Sequence, residues 1–176
     1  MFLRKDFSTF ELRELQCSDG QDIYRMLQTI GSEEFEFHNE VNGMSYEEYK
    51  NWLIRQHEWS QGLGLPEGYV KQWIFWLFVF DKPVGFGKLR EKLTESSRNL
   101  GGNIGYAISS EERGKGYGEV LFELLLRKAR EMQIETVMST VEKTNLISKR
   151  IQEKCGGVLI RENDKRWYFN FASKIK

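Results

Sequence analysis

The chain has 176 residues, 40% of them hydrophobic, and its 26 basic residues are balanced by 26 acidic ones. That length and apolar content are enough for one packed core, so we expect a single domain over residues 1–176. The balanced charge argues against a nucleic-acid partner, because nucleic-acid binders usually carry a basic excess. Two cysteines and two histidines without metal-ligand spacing predict no metal site and a reduced, cytoplasmic protein.

The apolar segments do not indicate secretion or membrane insertion. The first six residues contain no apolar run of the kind found in signal peptides. The most apolar stretch, residues 73–80, is far shorter than the roughly 20 residues that span a bilayer and is typical of a buried strand. We therefore expect neither a signal peptide nor a membrane partner.

In the N-terminal part, the sequence predicts a strand followed by two helices. Imperfect alternation of apolar side chains over residues 10–15 indicates the strand. Ser18 with Gln21 has the spacing of a capping box and indicates a short first helix. Ser45 with Glu48 has the same spacing before an amphipathic segment, which predicts the second helix.

Strands and helices alternate in the rest of the chain. Hydrophobic patterning and turn residues predict strands over residues 72–80 and 84–93, a loop over 96–102, a strand over 103–109, a helix over 117–132, a strand over 136–141, a helix over 145–154 and two C-terminal strands. The first two of these strands flank Asp81-Lys82-Pro83 and form a hairpin. Hairpins combined with strand–helix–strand connections predict an α/β fold, a mixed sheet covered by helices.

A glycine-rich segment, RGKGYG at residues 113–118, joins a predicted strand to a predicted helix. Glycines let consecutive backbone N–H groups turn toward one anion, and the N-terminus of the following helix adds its own N–H groups. Two basic side chains supply nearby positive charge. The segment therefore predicts a site for a phosphate or pyrophosphate, although a plain tight turn would also use one or two glycines.

Two other phosphate-binding loops fit this segment less well. A P-loop has Ser or Thr directly after its lysine, whereas Lys115 is followed by Gly116. A dinucleotide fingerprint has the spacing G-x-G-x-x-G, and this segment has G-x-G-x-G, with more than a hundred residues before it. Glu142 does follow at a suitable distance, so a dinucleotide binder stays open as a lower-ranked alternative.

The segment resembles the central motif of the GCN5-related N-acetyltransferase (GNAT) superfamily, Arg/Gln-x-x-Gly-x-Gly/Ala after a strand. Arg113, Gly116 and Gly118 match this motif in register. Ile108 occupies the position of an aliphatic residue that the family has five residues before the arginine. Residues 101–106 are most similar to those of bacterial predicted acetyltransferases without an assigned substrate.

A second segment resembles the family's Asn-x-x-Ala-x-x-x-Tyr-Glu-Lys-x-Gly-Phe motif. It matches at Asn145, Glu153, Lys154 and Gly156. The family's tyrosine, often the acid that protonates the leaving thiolate, is replaced by Gln152. An amide cannot supply that proton, so water, the substrate or another residue, such as Tyr106 or Tyr117, must do so.

The resemblance implies a GNAT-like sheet of six to seven strands with helices on both faces and a cleft for the co-substrate acetyl-CoA where two parallel strands splay. The implied acetyl-CoA-binding residues are Ile108, Arg113, Gly114, Lys115, Gly116, Tyr117, Gly118 and Asn145. The implied reaction moves the acetyl group to a primary amine of a small molecule or peptide by direct attack. The alternative, motivated by the missing tyrosine, is a non-catalytic acyl-CoA-binding module.

The general base is not identified by these motifs. Glu36, His38 and Glu40 lie in the loop between the first two helices, where the family often forms its acceptor pocket. Arg90 and Glu91 are further candidates, of which strand alternation lets only one face the cleft. Each of Glu36, His38 and Glu40, taken singly, is more typical of a solvated loop residue. The aromatic C-terminal strands either pair across a homodimer or fill the core.

Overall fold

A computed structural model describes residues 8–35 and 37–172. Glu36 lies outside the described residues. So do the first six residues, for which we predict no signal peptide. The strands are β1 Phe10–Glu14, β2 Glu33–Glu34, β3 Phe37–His38, β4 Gln72–Val79, β5 Lys82–Arg90, β6 Ile104–Ile108, β7 Thr136–Glu142, β8 Val158–Glu162 and β9 Arg166–Ala172. The α-helices are α1 Gln21–Gln28, α2 Tyr46–Ser60, α3 Glu95–Asn99, α4 Tyr117–Glu131 and α5 Leu146–Lys154.

The strands form two antiparallel sheets and one small hairpin. The first sheet has the order β1-β4-β5-β6, the second has the order β7-β9-β8, and β2 pairs with β3. The two larger sheets meet at a single bridge between Gly102 and Ser139, and in the described part of the chain no ladder joins β6 to β7. The predicted α/β fold is confirmed, with seven strands in the two sheets.

Asn103 makes the joint between the two sheets. Its backbone N–H donates to Met138 O at 2.7 Å, and its side-chain oxygen accepts from Met138 N at 2.9 Å. Its side-chain nitrogen donates to Arg90 O at 3.1 Å on the other side. Because the side chain of Asn103 is buried and bonded in both directions, it holds β5 and β7 at a defined separation.

Helices cover both faces of the first sheet, as the resemblance implies. Phe75 and Leu77 on β4 pack with the apolar side chains of α4, whereas Ile74, Trp76 and Phe78 pack with those of α1 and α2. This period-two division follows from the alternation of side chains along a strand. Burial of each large apolar side chain contributes about 1.5–3 kcal/mol, so both faces stabilise the sheet.

The capping predictions had different outcomes. The box at Ser45 is confirmed, because Ser45 N donates to Glu48 Oε2 at 2.7 Å and Glu48 N donates to Ser45 Oγ at 3.3 Å. The box at Ser18 is wrong, since α1 begins at Gln21 with Gly20 as its N-cap. Residues 16–19 instead form a turn in which the side chain of residue 19 accepts a backbone hydrogen bond.

Two boundary predictions need correction. The predicted loop over residues 96–102 contains α3, because Thr94 and Ser97 form a reciprocal cap that the sequence analysis did not recognise. The second strand of the hairpin ends at Arg90 and not at residue 93, because its partner strand begins at Gln72, which is opposite Arg90. Among the described residues, no helix is long and apolar enough to cross a membrane.

The aromatic C-terminal strand fills the core. Phe169 and Phe171 are buried in the cluster beneath α4. β9 is paired on both sides, by β7 and by β8. It therefore has no edge available for pairing with a second copy of the chain.

We predict that Gly102→Ala destabilises the protein far more than Gly43→Ala. Both glycines have positive φ, 69° and 91°, so both variants carry the backbone strain of the left-handed region. An added Cβ at Gly102 would lie 2.2 Å from Met138 O, whereas nothing lies within 4 Å of one at Gly43. We expect Gly102→Ala to lower the free energy of unfolding by about 3 kcal/mol or more and Gly43→Ala to lower it by about 1 kcal/mol, measured by urea unfolding. Equal losses would show that the joint tolerates a side chain.

Candidate active site

A cavity of about 610 Å³ lies between β6 and β7, where the two sheets share no ladder. On the side of α4 and α5 its wall includes Tyr106 and Gly118, and on the side of α1 and α2 it includes Phe37 and Lys88. The ring of Tyr106 packs 5.2 Å from that of Phe122 on α4, which places it on the α4 face. The cavity therefore reaches both faces of the sheet.

The glycine-rich segment forms the start of α4 at one end of this cavity. Gly114 and Gly116 have φ values of 77° and 82°, and an added Cβ at either would have nothing within 4 Å. Gly116 is the N-cap of α4 and provides no side-chain cap. In the described structure, the backbone N–H groups of residues 113–118 donate to no protein acceptor. N–H groups without a protein acceptor at the positive end of a helix dipole are suited to hold an anion.

Gly118 is needed for a different reason. It has an ordinary helical conformation, and a Cβ added there would lie 3.2 Å from Ile151 Cδ1 and 3.6 Å from Tyr106 Cε2. The absence of a side chain lets α4, α5 and β6 approach one another at the cavity wall. Two of the three glycines in this segment therefore serve the turn, and the third serves close packing.

The basic side chains of the segment are already paired with carboxylates. Arg113 forms an ion pair with Glu34, and its Nε donates to Ile108 O at 3.1 Å. Lys115 Nζ lies 2.7 Å from Glu112 Oε2, which lowers the pKa of that carboxyl, and Lys115 is not part of the cavity wall. The backbone N–H groups are therefore the principal anion donors of this segment.

The start of α5 forms the opposite wall. Asn145 is its N-cap, with Oδ1 accepting from Ser148 N at 3.0 Å, and its side chain lines the cavity. The Ser148 hydroxyl lies 3.0 Å from the Tyr106 hydroxyl. Burial raises the pKa of Tyr106, so its phenol stays protonated at neutral pH and is a weaker acid than an unperturbed tyrosine.

Gln152, which replaces the family's tyrosine, is a buried wall residue. Its Nε2 donates to Ser139 Oγ at 2.9 Å, while its Oε1 has no hydrogen-bond partner in the described structure. A buried acceptor without a partner costs about 1–3 kcal/mol, which a donor on a bound ligand would offset. Gln152 therefore fits a ligand that brings an N–H group.

Of the candidate bases, the structure brings His38 to the cavity and leaves two others away from it. His38 Nδ1 lies 2.6 Å from Glu33 Oε1, and its side chain is half exposed in the cavity wall. Glu40 instead pairs with Arg55 at 2.7 Å. Glu91 is an exposed residue directly after β5. Neither Glu40 nor Glu91 is among the residues that line the cavity.

Sequence analysis missed the importance of Lys88. This lysine is only 8% exposed, and its Nζ donates to His38 O at 2.5 Å. Burial, together with the nearby Arg90 charge, lowers the pKa of Lys88 to about 8. A single lysine inside an otherwise buried strand was the signal available in the sequence, since such a strand rarely accommodates an ammonium.

The N-terminus of α4, with N–H groups suited to an anion, lies beside the gap between the two sheets. This arrangement is typical of acyl-CoA-dependent transferases of the N-acetyltransferase type. The family profile described as Acetyltransferase (GNAT) domain matches residues 9–158. The chain belongs to this GNAT family and is an acyl-CoA-dependent N-acetyltransferase. By sequence, no curated protein matches it.

Solved structures share this fold at low sequence identity. The ribosomal-protein-S5-alanine acetyltransferase of Vibrio fischeri is 16% identical with a TM-score of 0.72, over 96% of this chain and 95% of that one. Campylobacter jejuni N-acetyltransferase PseH in complex with acetyl coenzyme A is 14% identical with a TM-score of 0.55, over 94% and 99%. A chimera of Vibrio cholerae spermidine N-acetyltransferase SpeG and hSSAT is 16% identical with a TM-score of 0.62, over 94% and 96%.

We predict that Lys88→Met stabilises the protein below pH 8. The folded-state pKa of about 8 lies below the ordinary lysine pKa of 10.5, so below pH 8 the folded state carries the full cost of a buried ammonium. Removing that cost would raise the free energy of unfolding by up to about 3 kcal/mol. The gain should shrink as the pH rises from 8 to 10.5, because the folded wild type is then neutral at Lys88 while the unfolded chain still loses its proton only near pH 10.5.

Thermal unfolding of both proteins between pH 6.5 and 10 would measure this difference. Lys50→Met is the matched control, because Lys50 is an exposed lysine on α2. The control should show no comparable gain at any pH. A lower melting temperature for Lys88→Met at pH 7, or a gain that does not depend on pH, would contradict the prediction.

Proposed function

We propose that this chain transfers the acetyl group of acetyl-CoA to a primary amine of a small molecule or peptide by direct attack in the cavity between β6 and β7. The observation that carries the proposal is the set of N–H groups at residues 113–118 that have no protein acceptor among the described residues. Their position at the N-terminus of α4 suits the diphosphate of coenzyme A.

The proposed binding mode uses both walls of the cavity. Residues 113–118 bind the diphosphate, and Ile108 on β6 and Asn145 at the start of α5 bind the pantetheine arm. The unpartnered Oε1 of Gln152 would accept one of its amide N–H groups. Lys115 contributes only through its charge, since its side chain pairs with Glu112 outside the cavity wall.

The acceptor reaches the reaction from the side of α1 and α2. An unperturbed amine with a pKa near 10.4 is neutral in about one molecule in a few thousand at pH 7, a handicap of about 4–5 kcal/mol. His38 is the proposed base, and Glu33 would orient its imidazole through the contact at 2.6 Å. Acetyl-CoA supplies the acetyl group as an activated thioester.

Tyr106 is the proposed acid for the departing thiolate. Its hydroxyl lies in the cavity wall beside Ser148, and its phenol is protonated at neutral pH. Tyr117, the other candidate, packs its ring 6.0 Å from that of Phe10. No cysteine is among the wall residues that the structure describes, which supports direct attack over an acyl-cysteine route.

Nothing favours the non-catalytic alternative. It was motivated by Gln152, but this side chain is hydrogen-bonded to Ser139 and a second phenol, that of Tyr106, lies in the same cavity. The family assignment also replaces the dinucleotide-binding alternative.

Further features remain predictions. We expect a cytoplasmic enzyme that needs no metal ion and has no nucleic-acid or membrane partner. If a homodimer forms through its sheets, β8 is the strand to test, because it is an edge strand with Val158, Leu159 and Ile160 exposed.

We predict that Gly114→Asp weakens acetyl-CoA binding and that Gly114→Asn does not. Asp and Asn have the same shape and both tolerate the left-handed conformation of this residue, so the pair isolates one negative charge beside the diphosphate. Isothermal titration at low ionic strength should show an affinity about 10- to 100-fold lower for Asp, with the difference reduced by salt. Equal affinities for the two variants would argue against a diphosphate at this turn.

We predict that Tyr106→Phe lowers kcat about 100-fold with little change in the Kd for acetyl-CoA, because only proton donation is lost. Free-thiol release with the best amine from a broad panel would measure kcat, and titration would measure Kd. Tyr69→Phe is the control, since Tyr69 is an exposed residue that packs on Trp59. A variant with the wild-type rate would exclude Tyr106 as the acid.

A further inference from the structure

Basic side chains line the end of the cavity opposite the glycine-rich segment. Lys88 and Arg90 are two residues apart on β5, so their side chains share one face of the sheet, and both line the cavity. Lys88 Nζ lies 4.9 Å from the centre of the Phe37 ring on β3. This placement puts both charges on the α1 and α2 face, where the acceptor would enter.

Arg166 on β9 adds a third basic group to the same end. Its Nη1 lies 3.3 Å from Thr140 Oγ1, which also accepts from Gly101 N at 2.8 Å. Arg90 Nη1 donates to Gly102 O at 2.9 Å. Both guanidinium groups therefore converge on the turn at residues 101 and 102, beside the joint between the two sheets.

These cations differ in their partners from those near the glycine-rich segment. Arg113 forms its ion pair with Glu34, and Lys154 lies 3.2 Å from Glu119. Lys88 and Arg90 instead donate to backbone carbonyl oxygens, and within residues 8–35 and 37–172 no carboxylate forms an ion pair with either. Arg113 and Lys154 are thus paired directly with carboxylates, whereas Lys88 and Arg90 are bonded to backbone oxygens.

Burial makes the lack of a carboxylate partner costly. Lys88 is only 8% exposed, and burial lowers the pKa of Arg90 as well as that of Lys88. The carboxylates of Glu40 and Glu33 act on Lys88 without a direct ion pair, and each raises its pKa by less than burial lowers it. Buried charges without a counter-charge are unfavourable, so an anion bound there would recover part of the cost.

We infer that the acceptor amine carries an anionic group, a carboxylate or a phosphate, that binds to Lys88 and Arg90. This inference rests on the proposed acetyl transfer and names the substrate class of the same site. The positive surroundings would also lower the pKa of the acceptor's ammonium and so increase the fraction of neutral amine. Polyamines, which bring several positive charges and no anion, are disfavoured by the same charges.

Matched acceptor pairs test this inference by activity. Two pairs differ by a carboxylate: lysine against cadaverine, and phenylalanine against phenethylamine. A third pair, phosphoethanolamine against ethanolamine, differs by a phosphate. In every pair that is turned over, we expect kcat/KM to be about tenfold or more higher for the anionic member. A preference for the anionic member of the first two pairs would identify the acceptor's anionic group as a carboxylate. A preference for the anionic member of the third pair would identify it as a phosphate. A preference for the members without the anionic group, or for spermidine, would overturn the inference.

Variants assign the preference to these side chains. In Arg90→Met and in Lys88→Met, kcat/KM for the acceptors with the anionic group should fall about 10- to 100-fold further than kcat/KM for their partners without it. Arg25→Met is the matched control, because Arg25 is an exposed arginine on α1. A preference that survives in both variants would overturn the inference.

Equilibrium binding decides the question even if no acceptor in the panel is turned over. The wild-type protein is saturated with CoA, which occupies the diphosphate site, and is then titrated with inorganic phosphate and with acetate. We expect at least one of these anions to bind the wild type, and Arg90→Met to bind it about tenfold more weakly. Equal binding by both proteins, or none by either, would overturn the inference. Failure of the wild type to bind acetyl-CoA at all would instead overturn the proposed function.

Discussion

The site depends on the joint that Asn103 makes between the two sheets. Its buried amide bonds to Arg90 O on one side and Met138 N on the other, and Gly102 allows the strands to meet there because it has no Cβ. No ladder of the described chain continues from this joint along β6 and β7. The stretch of β6 and β7 without a ladder forms the cavity. The contact at Asn103 therefore joins the two sheets and leaves the cavity between them.

The two ends of the cavity use different sources of positive potential. At the start of α4 it comes from backbone N–H groups, while the nearby Arg113 is neutralised by Glu34. At the other end it comes from buried Lys88 and Arg90, which have backbone oxygens as partners. Backbone donors suit a co-substrate with a fixed diphosphate, whereas side-chain cations can be changed to suit one acceptor.

Local patterns predicted the features that depend on local geometry. The glycine-rich turn at residues 113–118 and the capping box at Ser45 each require particular residue types within a few positions. Predictions that needed knowledge of distant packing were less successful. Glu40 and Glu91 were candidates by position in the chain, but Arg55 holds the first and the end of β5 leaves the second in solvent.

The sequence by itself determined the alternating strands and helices, the anion-binding turn and the membership of a motif family, because spacing along the chain sets these directly. The tertiary structure decided which side chains meet in the cavity. Lys88 belongs to the site only because the β2–β3 hairpin folds over β5, and Arg166 only because β9 lies beside β7. Contacts between elements far apart in the chain follow from packing and hydrogen bonding across the fold, which no local pattern encodes.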